Sequence, residues 1–313
     1  MTTPRWISPM LATLHKEPFS DKEWIFEEKF DGIRCLAVKK AGRVTLYSRN
    51  HKNLSAVFPE IVSDLESRKS KNYVADGEIV AFNKKVTSFS KLQSRLNVLD
   101  VSHIKGVKVP VYFYIFDLLF WDRRNLKNLS LLERKKALKN YFPFGKAIRY
   151  TPHVEKSGAA FFQKATDRGL EGIMAKRKTA RYVGKRSRDW LKIKSHLSQE
   201  FVIGGYTNPQ GSRIGFGALL IGYYEKTALR YAGKVGTGYD KKMLKALSKK
   251  LKSLQITHPV FKDPIKECHT HFVSPRLVCE IAFTEWTKEG KLRHPRFLGM
   301  RKDKAAKSVI REK

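Results

Sequence analysis

The sequence predicts an α+β fold in two domains, antiparallel sheets with helices over residues 1–198 and a small β-barrel over 199–313. Three observations carry this expectation. The 313 residues exceed what one compact core usually needs. The first part of the chain alternates apolar and polar residues with period two between helically spaced stretches. Around SHLSQE, residues 195–200, the pattern resets into a Gly-rich, strand-rich stretch.

Taken in order, WIFEEKF, IRCLAVKK and RVTLYSR read as strands separated by Asp-Gly and Ala-Gly turns, a meander that leaves Lys29 near a strand end. FPEIVSDLESRKS reads as a short helix. NYVADGEIVAF reads as a strand interrupted at Asp76-Gly77, and VPVYFYIFDLLFWD as a long buried strand. LLERKKALKNYF and AAFFQKATDRG have helical spacing, the second ending at Gly169, and EGIMAKR and DWLKIK return to strand character. Beyond the reset come EFVIGGYT, GALLIGYYEK and ALRYAGKVGTG, then the basic helix DKKMLKALSKKLKSL and the strand LVCEIAFTEWT. Several short strands and one helix suit a barrel of the OB type, a fold often used on nucleic acid.

A hydrophobic content of 42% is enough for real cores, which excludes a disordered basic tail. Lys+Arg 63 against Asp+Glu 29 gives a formal net charge of +34, a surplus that points to a polyanionic partner, most simply nucleic acid. Three cysteines, Cys35, Cys268 and Cys279, form no closed disulfide set and no paired CxxC spacing. Cys268, His269 and His271 are close enough in sequence to suggest a metal site, although an ordinary loop explains them better. MTTPRWISPMLATL lacks a charged head followed by an apolar run, so no signal peptide is expected. No stretch approaches the roughly 20 apolar residues of a membrane span. The expectation is a soluble cytoplasmic monomer, associated with the nucleoid and without membrane contact.

The chemistry starts at Lys29 in EEKFDGIR. A lysine with an ordinary pKa near 10.4 is neutral in about one molecule in 2,500 at pH 7, a handicap of roughly 4.6 kcal/mol for a nucleophile. An enzyme using it lowers that pKa by burial or by neighbouring cations. Arg34, Lys192 and Lys194 are the candidate cations. Alone, Lys29 reads as a surface lysine beside Glu27 and Glu28. ADGE places Asp76 and Glu78 on one side of a strand, and Glu171 precedes the apolar strand GIMAKR. Carboxylates among so many cations suit Mg²⁺ or Mn²⁺, as phosphoryl transfer requires. WLKIK puts Lys192 and Lys194 on one strand face, about 7 Å apart, positioned to grip one phosphate. Phe116 reads by spacing as core, or else as a platform for a base.

The order KFDGIR, SRN, DGE, IFDLL, EGIMAK and WLKIK resembles the covalent nucleotidyltransferase superfamily, which holds ATP-dependent DNA ligases, RNA ligases and mRNA capping enzymes. The match covers essentially all of residues 1–198. EFVIGGYTNPQGSRIGFGALLIGYYE, YAGKVGTGY, RHPRFLGMRKDK and the opening SPMLATL are similar to bacterial ligases of the ligase D type, which extends the resemblance over nearly the whole chain. Ligase D proteins often carry polymerase and phosphoesterase domains and work with Ku; this chain has room for neither domain. The N-terminal helical clamp of the larger eukaryotic ligases and the zinc and BRCT modules of the NAD-dependent kind have no counterpart in it.

The resemblance implies an adenylation domain followed by an OB domain, sealing 3′-OH/5′-phosphate nicks in duplex DNA during repair. Lys29 would attack the α-phosphate of ATP, AMP would pass to the 5′-phosphate of the nick, and the 3′-hydroxyl would displace it. It also implies roles residue by residue. Glu27 would meet the adenine amino group, Arg34 and Glu78 the ribose, Arg49 the ribose or the nick phosphate, and Phe116 the adenine face. Glu171 is the first metal candidate and Glu78 the second. Lys192 and Lys194 would hold the α-phosphate with Arg186 assisting. Arg293, Arg301 and Lys304 would orient the pyrophosphate after the OB domain closes about a pivot at 195–200. An RNA ligase on the same machinery is the alternative; the OB sequence disfavours a capping enzyme.

Overall fold

The computed structural model describes residues 4–96 and 109–312. The chain divides into two compact units, Met1–Ser195 and His196–Lys313. In the first, β1 (Leu11–Leu14), β2 (Trp24–Glu28), β3 (Ile33–Lys40) and β4 (Arg43–Ser48) precede helix α1 (Pro59–Ser67). There follow β5 (Tyr73–Val80), the short β6 (Phe82–Asn83) and β7 (Val86–Thr87), and α2 (Phe89–Leu96). Next come β8 (Tyr112–Trp121), β9 (Arg124–Asn125), α3 (Leu131–Tyr141), β10 (Ile148–Tyr150) and β11 (His153–Glu155). Helix α4 (Gly158–Asp167), β12 (Gly172–Arg177) and β13 (Arg186–Lys194) close the unit.

Two sheets organise it. One runs β1-β13-β12-β2-β11 and the other β10-β8-β5-β3-β4, with β9 beside β8. Trp24 and Phe26 of β2 pack with Ile173, Ala175, Leu191 and Ile193 against α4. The outer face of the second sheet buries Ile33, Cys35, Ala75, Ile79, Phe113 and Ile115 under side chains from α1, α2 and α3. Between the sheets lie Leu36, Val38, Val74, Phe116 and Trp190. Helix α3 starts at a capping box, in which Ser130 accepts from the Glu133 N–H and the Glu133 carboxylate accepts from the Ser130 N–H. Helix α4 ends before Gly169, whose φ of +69° is the left-handed stop expected there.

The expected meander is corrected. Only β3 and β4 form a hairpin, from Cys35↔Ser48 to Lys40↔Arg43; β2 lies in the other sheet between β12 and β11. Asp31-Gly32 is therefore a crossing between sheets. A Cβ on Gly32 would stand 2.4 Å from the Ile79 carbonyl oxygen, so close approach to β5 requires the glycine. Asp31 fixes the crossing: its carboxylate accepts from the Phe89 N–H at 2.9 Å and its own N–H donates to Thr87 Oγ1 at 3.1 Å. Likewise Asp76-Gly77 does not interrupt β5, which is continuous; the irregularity is a register shift against β8.

The second unit holds β14 (Leu197–Thr207), β15 (Leu219–Glu225), β16 (Ala228–Val235), α5 (Lys241–Lys252), β17 (Gln255–Ile256) and β18 (Thr270–Phe283). The small strands β19 (Glu285–Trp286), β20 (Leu292–Arg293) and β21 (Arg296–Met300) follow. The sheet order is β16-β15-β14-β18-β17 with β21 against β18, and α5 follows β16 and precedes β17 along the chain. Its own core contains Phe201, Ile203, Leu220, Ile221, Leu247, Val278 and Ile281. This is the OB-like barrel the strand pattern predicts.

Candidate active site

Period two sets one face of the first sheet. Ile25, Glu27 and then Lys29 leave β2 on the side opposite the α4 core. The register pairs Met174 with both Glu27 and Lys192, Lys176 with Trp190, and Gly172 with Lys194. Lys29 follows the end of β2, and its N–H donates to the Gly172 carbonyl at 3.0 Å. Its ammonium group contacts Glu171 Oε1, with both side chains mostly covered, 17% and 14% exposed. Burial pushes the Glu171 carboxyl up, but Lys29, Lys194 and Lys192 around it outweigh burial and hold it below its ordinary value. Lys29, Glu171, Lys192 and Lys194 thus stand together.

One physical expectation changes. Cations were to destabilise the charged form of Lys29, yet its closest partner is a carboxylate. That pairing favours an ammonium beside a carboxylate, and the lysine becomes a nucleophile only when its proton passes on or Glu171 is drawn elsewhere.

On the second sheet, Arg34 stands opposite Glu78 in the β3–β5 register. Its guanidinium is bidentate on Asp76, at 2.5 and 2.6 Å, and donates to the Met10 carbonyl at 3.3 Å. Burial alone would lower its pKa; Asp76 overcomes that and raises it. The Tyr182 hydroxyl donates to the same Asp76 at 2.6 Å. Arg34 therefore works first as a strut between β3 and β5. Phe116 is 7% exposed, with Lys176 Nζ 4.0 Å and the Arg34 guanidinium carbon 4.7 Å from its ring centre. It belongs to the core between the sheets, as its spacing indicated, and its ring also carries cations.

Glu27 is the residue whose surroundings the sequence hid. Its carboxylate, expected against an adenine amino group, is buried and accepts from Lys135 at one oxygen and from Lys176 at the other, the second at 2.5 Å. Burial raises the Glu27 pKa, and the two lysines bring it below its ordinary value. Lys135 also donates to the Thr151 carbonyl at 3.2 Å. A signal for it was present: Leu131, Arg134, Lys135 and Leu138 occupy the i, i+3, i+4, i+7 face of α3, and all four are buried. Two cations on a buried stripe announce buried anions, here Asp117 and Glu27.

The remaining basic candidates are scattered. Arg49 is half-buried in the turn after β4. Arg186 is exposed at the start of β13, and its guanidinium donates to the Ala12 carbonyl, strapping β1 to the sheet. In the second unit Arg301 is partly buried and bonds Asp303 at 3.0 and 2.9 Å and Glu280 at 2.8 Å. Lys304 pairs with Glu200 at 2.8 Å, and the exposed Arg293 pairs with Glu285 at 2.5 Å. Each of these three, expected to orient a leaving group, is ion-paired with a carboxylate of its own unit. Among the described residues no group of three or more His, Cys, Asp or Glu side chains stands ready for a metal, so Cys268, His269 and His271 form no such centre. His271 instead shares hydrogen bonds with Asn208 at 2.7 Å and Gln255 at 3.3 Å.

The two-sheet unit with a mostly covered lysine beside Glu171, Lys192 and Lys194, followed by an OB-like barrel, defines the nucleotidyltransferase class. The description "ATP dependent DNA ligase domain" matches residues 9–194, and "ATP dependent DNA ligase C terminal region" matches residues 212–304. The chain belongs to the ATP-dependent DNA ligase family. It is 33% identical over 320 residues to the multifunctional non-homologous end joining protein LigD of Pseudomonas aeruginosa, covering 99% of this chain and 37% of that protein. It is 34% identical to the multifunctional non-homologous end joining DNA repair protein LigD of Mycobacterium tuberculosis, covering 98% of this chain and 40% of that protein. The chain thus spans about two fifths of the length of these curated relatives. A solved mycobacterial DNA ligase D complexed with ATP and MES is similar in structure, with TM-score 0.69, 33% identity and coverage of 98% of both chains. No helix among the described residues is long and apolar enough to cross a membrane.

Proposed function

We propose that this chain seals 3′-OH/5′-phosphate nicks in duplex DNA through an AMP carried on Lys29. The observation that supports this most strongly is the contact between the Lys29 ammonium and Glu171, inside a cluster with Lys192 and Lys194, in a chain of this family. Glu171, held too acidic to keep the Lys29 proton, turns from the ammonium and leaves it beside Lys192 and Lys194, and the proton passes to water. The amine then attacks the α-phosphorus of ATP, the P–N bond forms, the bond to the bridging oxygen breaks, and pyrophosphate leaves. Lys192 and Lys194 stabilise the charge that gathers on the α-phosphate oxygens. Transfer of AMP to the 5′-phosphate gives a DNA adenylate, and the 3′-hydroxyl displaces AMP to restore the strand.

The donor set fits a divalent cation of the kind that takes one or two carboxylates and completes its shell on substrate phosphates and water. Glu171, kept ionised by three lysines, would hold Mg²⁺ or Mn²⁺, with Glu78 the second candidate, and the ion would neutralise phosphate charge. Glu78, Arg49 and Phe116 are assigned to the nucleoside, with Glu27 and Arg34 shaping that pocket from beneath through Lys135, Lys176 and Asp76. Arg186, Arg293, Arg301 and Lys304 are assigned to the phosphates, the last three after exchange of their carboxylate partners. The relatives' names favour non-homologous end joining as the setting, and a Ku-type end-binding protein is the partner assigned to it.

Incubation with α-labelled ATP and a nicked DNA duplex tests the reading. The expected result is a labelled protein and a sealed strand, both lost in Lys29→Ala. Sealing of a nicked RNA duplex in preference to DNA would move the assignment to an RNA ligase.

A further inference from the structure

Helix α5 is the most one-sidedly charged surface of the second unit. Leu244, Leu247 and Leu251 are buried, anchoring it to the barrel core. Lys241, Lys242, Lys245, Lys249, Lys250 and Lys252 are all exposed. No acidic residue lies within the helix; Asp240, its N-cap, accepts from the Met243 N–H at 2.6 Å. Carboxylates elsewhere in the unit are committed to other cations, Asp263 to Arg230, Glu280 and Asp303 to Arg301, and Glu200 to Lys304. Among the described residues none of the six α5 lysines has a carboxylate at ion-pair distance.

Such a face works against the helix. Lysines at i, i+3 and i, i+4 repel, costing about 0.2–0.5 kcal/mol per pair, and Lys241 and Lys242 oppose the dipole of the first turn. Lys302 adds to the crowding: burial and then Lys250 push its ammonium below the ordinary lysine value. A polyanion relieves the repulsion among these lysines.

We propose that α5 is a track for duplex DNA, its lysines neutralising successive phosphates of one strand. Lys241, Lys245, Lys249 and Lys252 form one stripe, about 16 Å long at 1.5 Å per residue. Over that length one DNA strand presents about five phosphates, at 3.4 Å each along the axis. A membrane surface fits less well, because the apolar face that would enter lipid is already buried in the barrel. This inference rests on the ligase reading and names the surface of the second unit that holds its substrate.

The test compares wild type with Lys245→Gln/Lys249→Gln in binding a fluorescein-labelled nicked DNA duplex, titrated across salt. Each lost phosphate contact lowers the slope of log K against log salt by about 0.9, so at about 0.1 M salt the double variant binds roughly 60-fold more weakly, and the two proteins converge near 1 M. A control, Lys136→Gln/Lys139→Gln, removes two exposed charges from α3 and keeps wild-type binding. An unchanged urea midpoint shows that the substitutions leave the fold intact. If the α5 variant binds like wild type, or the control weakens as much, the track is overturned, and the stripe is left to an acidic protein or to diffuse charge. Failure of the ligase reading looks different: wild type then takes no label from ATP, whatever its hold on DNA.

Discussion

Asp117 and Arg134 are fully buried, and each is the other's counter-charge, joined by bonds of 2.8 and 2.9 Å. Arg134→Met leaves a carboxylate in the core without its cation, and should cost about 3–5 kcal/mol in urea unfolding. A loss below about 1 kcal/mol would contradict the pairing. Glu27 differs, because one carboxylate serves two ammonium groups and one positive charge is left over. Burial, opposed by Glu27 and aided by Lys135, brings Lys176 down to about 8 from 10.5. Between those values the unfolded chain holds a proton that the folded chain lacks, so the penalty is complete below pH 8 and stability rises with pH through that window. Wild type should therefore gain stability relative to Lys176→Met between about pH 8 and 10, by up to about 3 kcal/mol; a flat difference in denaturation free energy would refute it. Period two was enough to place Lys29, Lys192 and Lys194 on one face. It gave no access to Glu27's partners, which lie 108 and 149 residues away and are set by packing alone.

The strands and helices were legible wherever the apolar period was long, as in β8, α3 and α4. The pairing of strands was not. Asp-Gly after WIFEEKF is a strong hairpin signal, yet here the glycine answers the closeness of Ile79 and the aspartate caps the approach to α2. A local pattern cannot tell a turn from a crossing when the same two residues serve both. Gly172 shows what an element contributes to the site. With φ +140° and the Ile193 carbonyl oxygen 2.1 Å from where a Cβ would stand, it lets β12 meet β13 just where Lys29 bonds the same residue's carbonyl. Gly172→Ala should cost about 1–3 kcal/mol through overpacking. Because Gly172 pairs with Lys194, it should also slow labelling by α-labelled ATP, measured beside urea unfolding. Full labelling rate with an unchanged midpoint would show that the junction tolerates the methyl group.

At the scale of the whole molecule, Lys+Arg 63 against Asp+Glu 29 supplies attraction to nucleic acid, and each unit carries its own apolar core. Attraction alone would mark no single amine among so many. What distinguishes Lys29 is its place at the end of β2, mostly covered and in contact with a carboxylate that two further lysines keep ionised. Peptide mapping by mass spectrometry after incubation with ATP and Mg²⁺ examines every lysine at once. The prediction is a single AMP, on the peptide containing Lys29, and none anywhere in Lys29→Ala. AMP on another lysine, or labelling that survives the substitution, would contradict it.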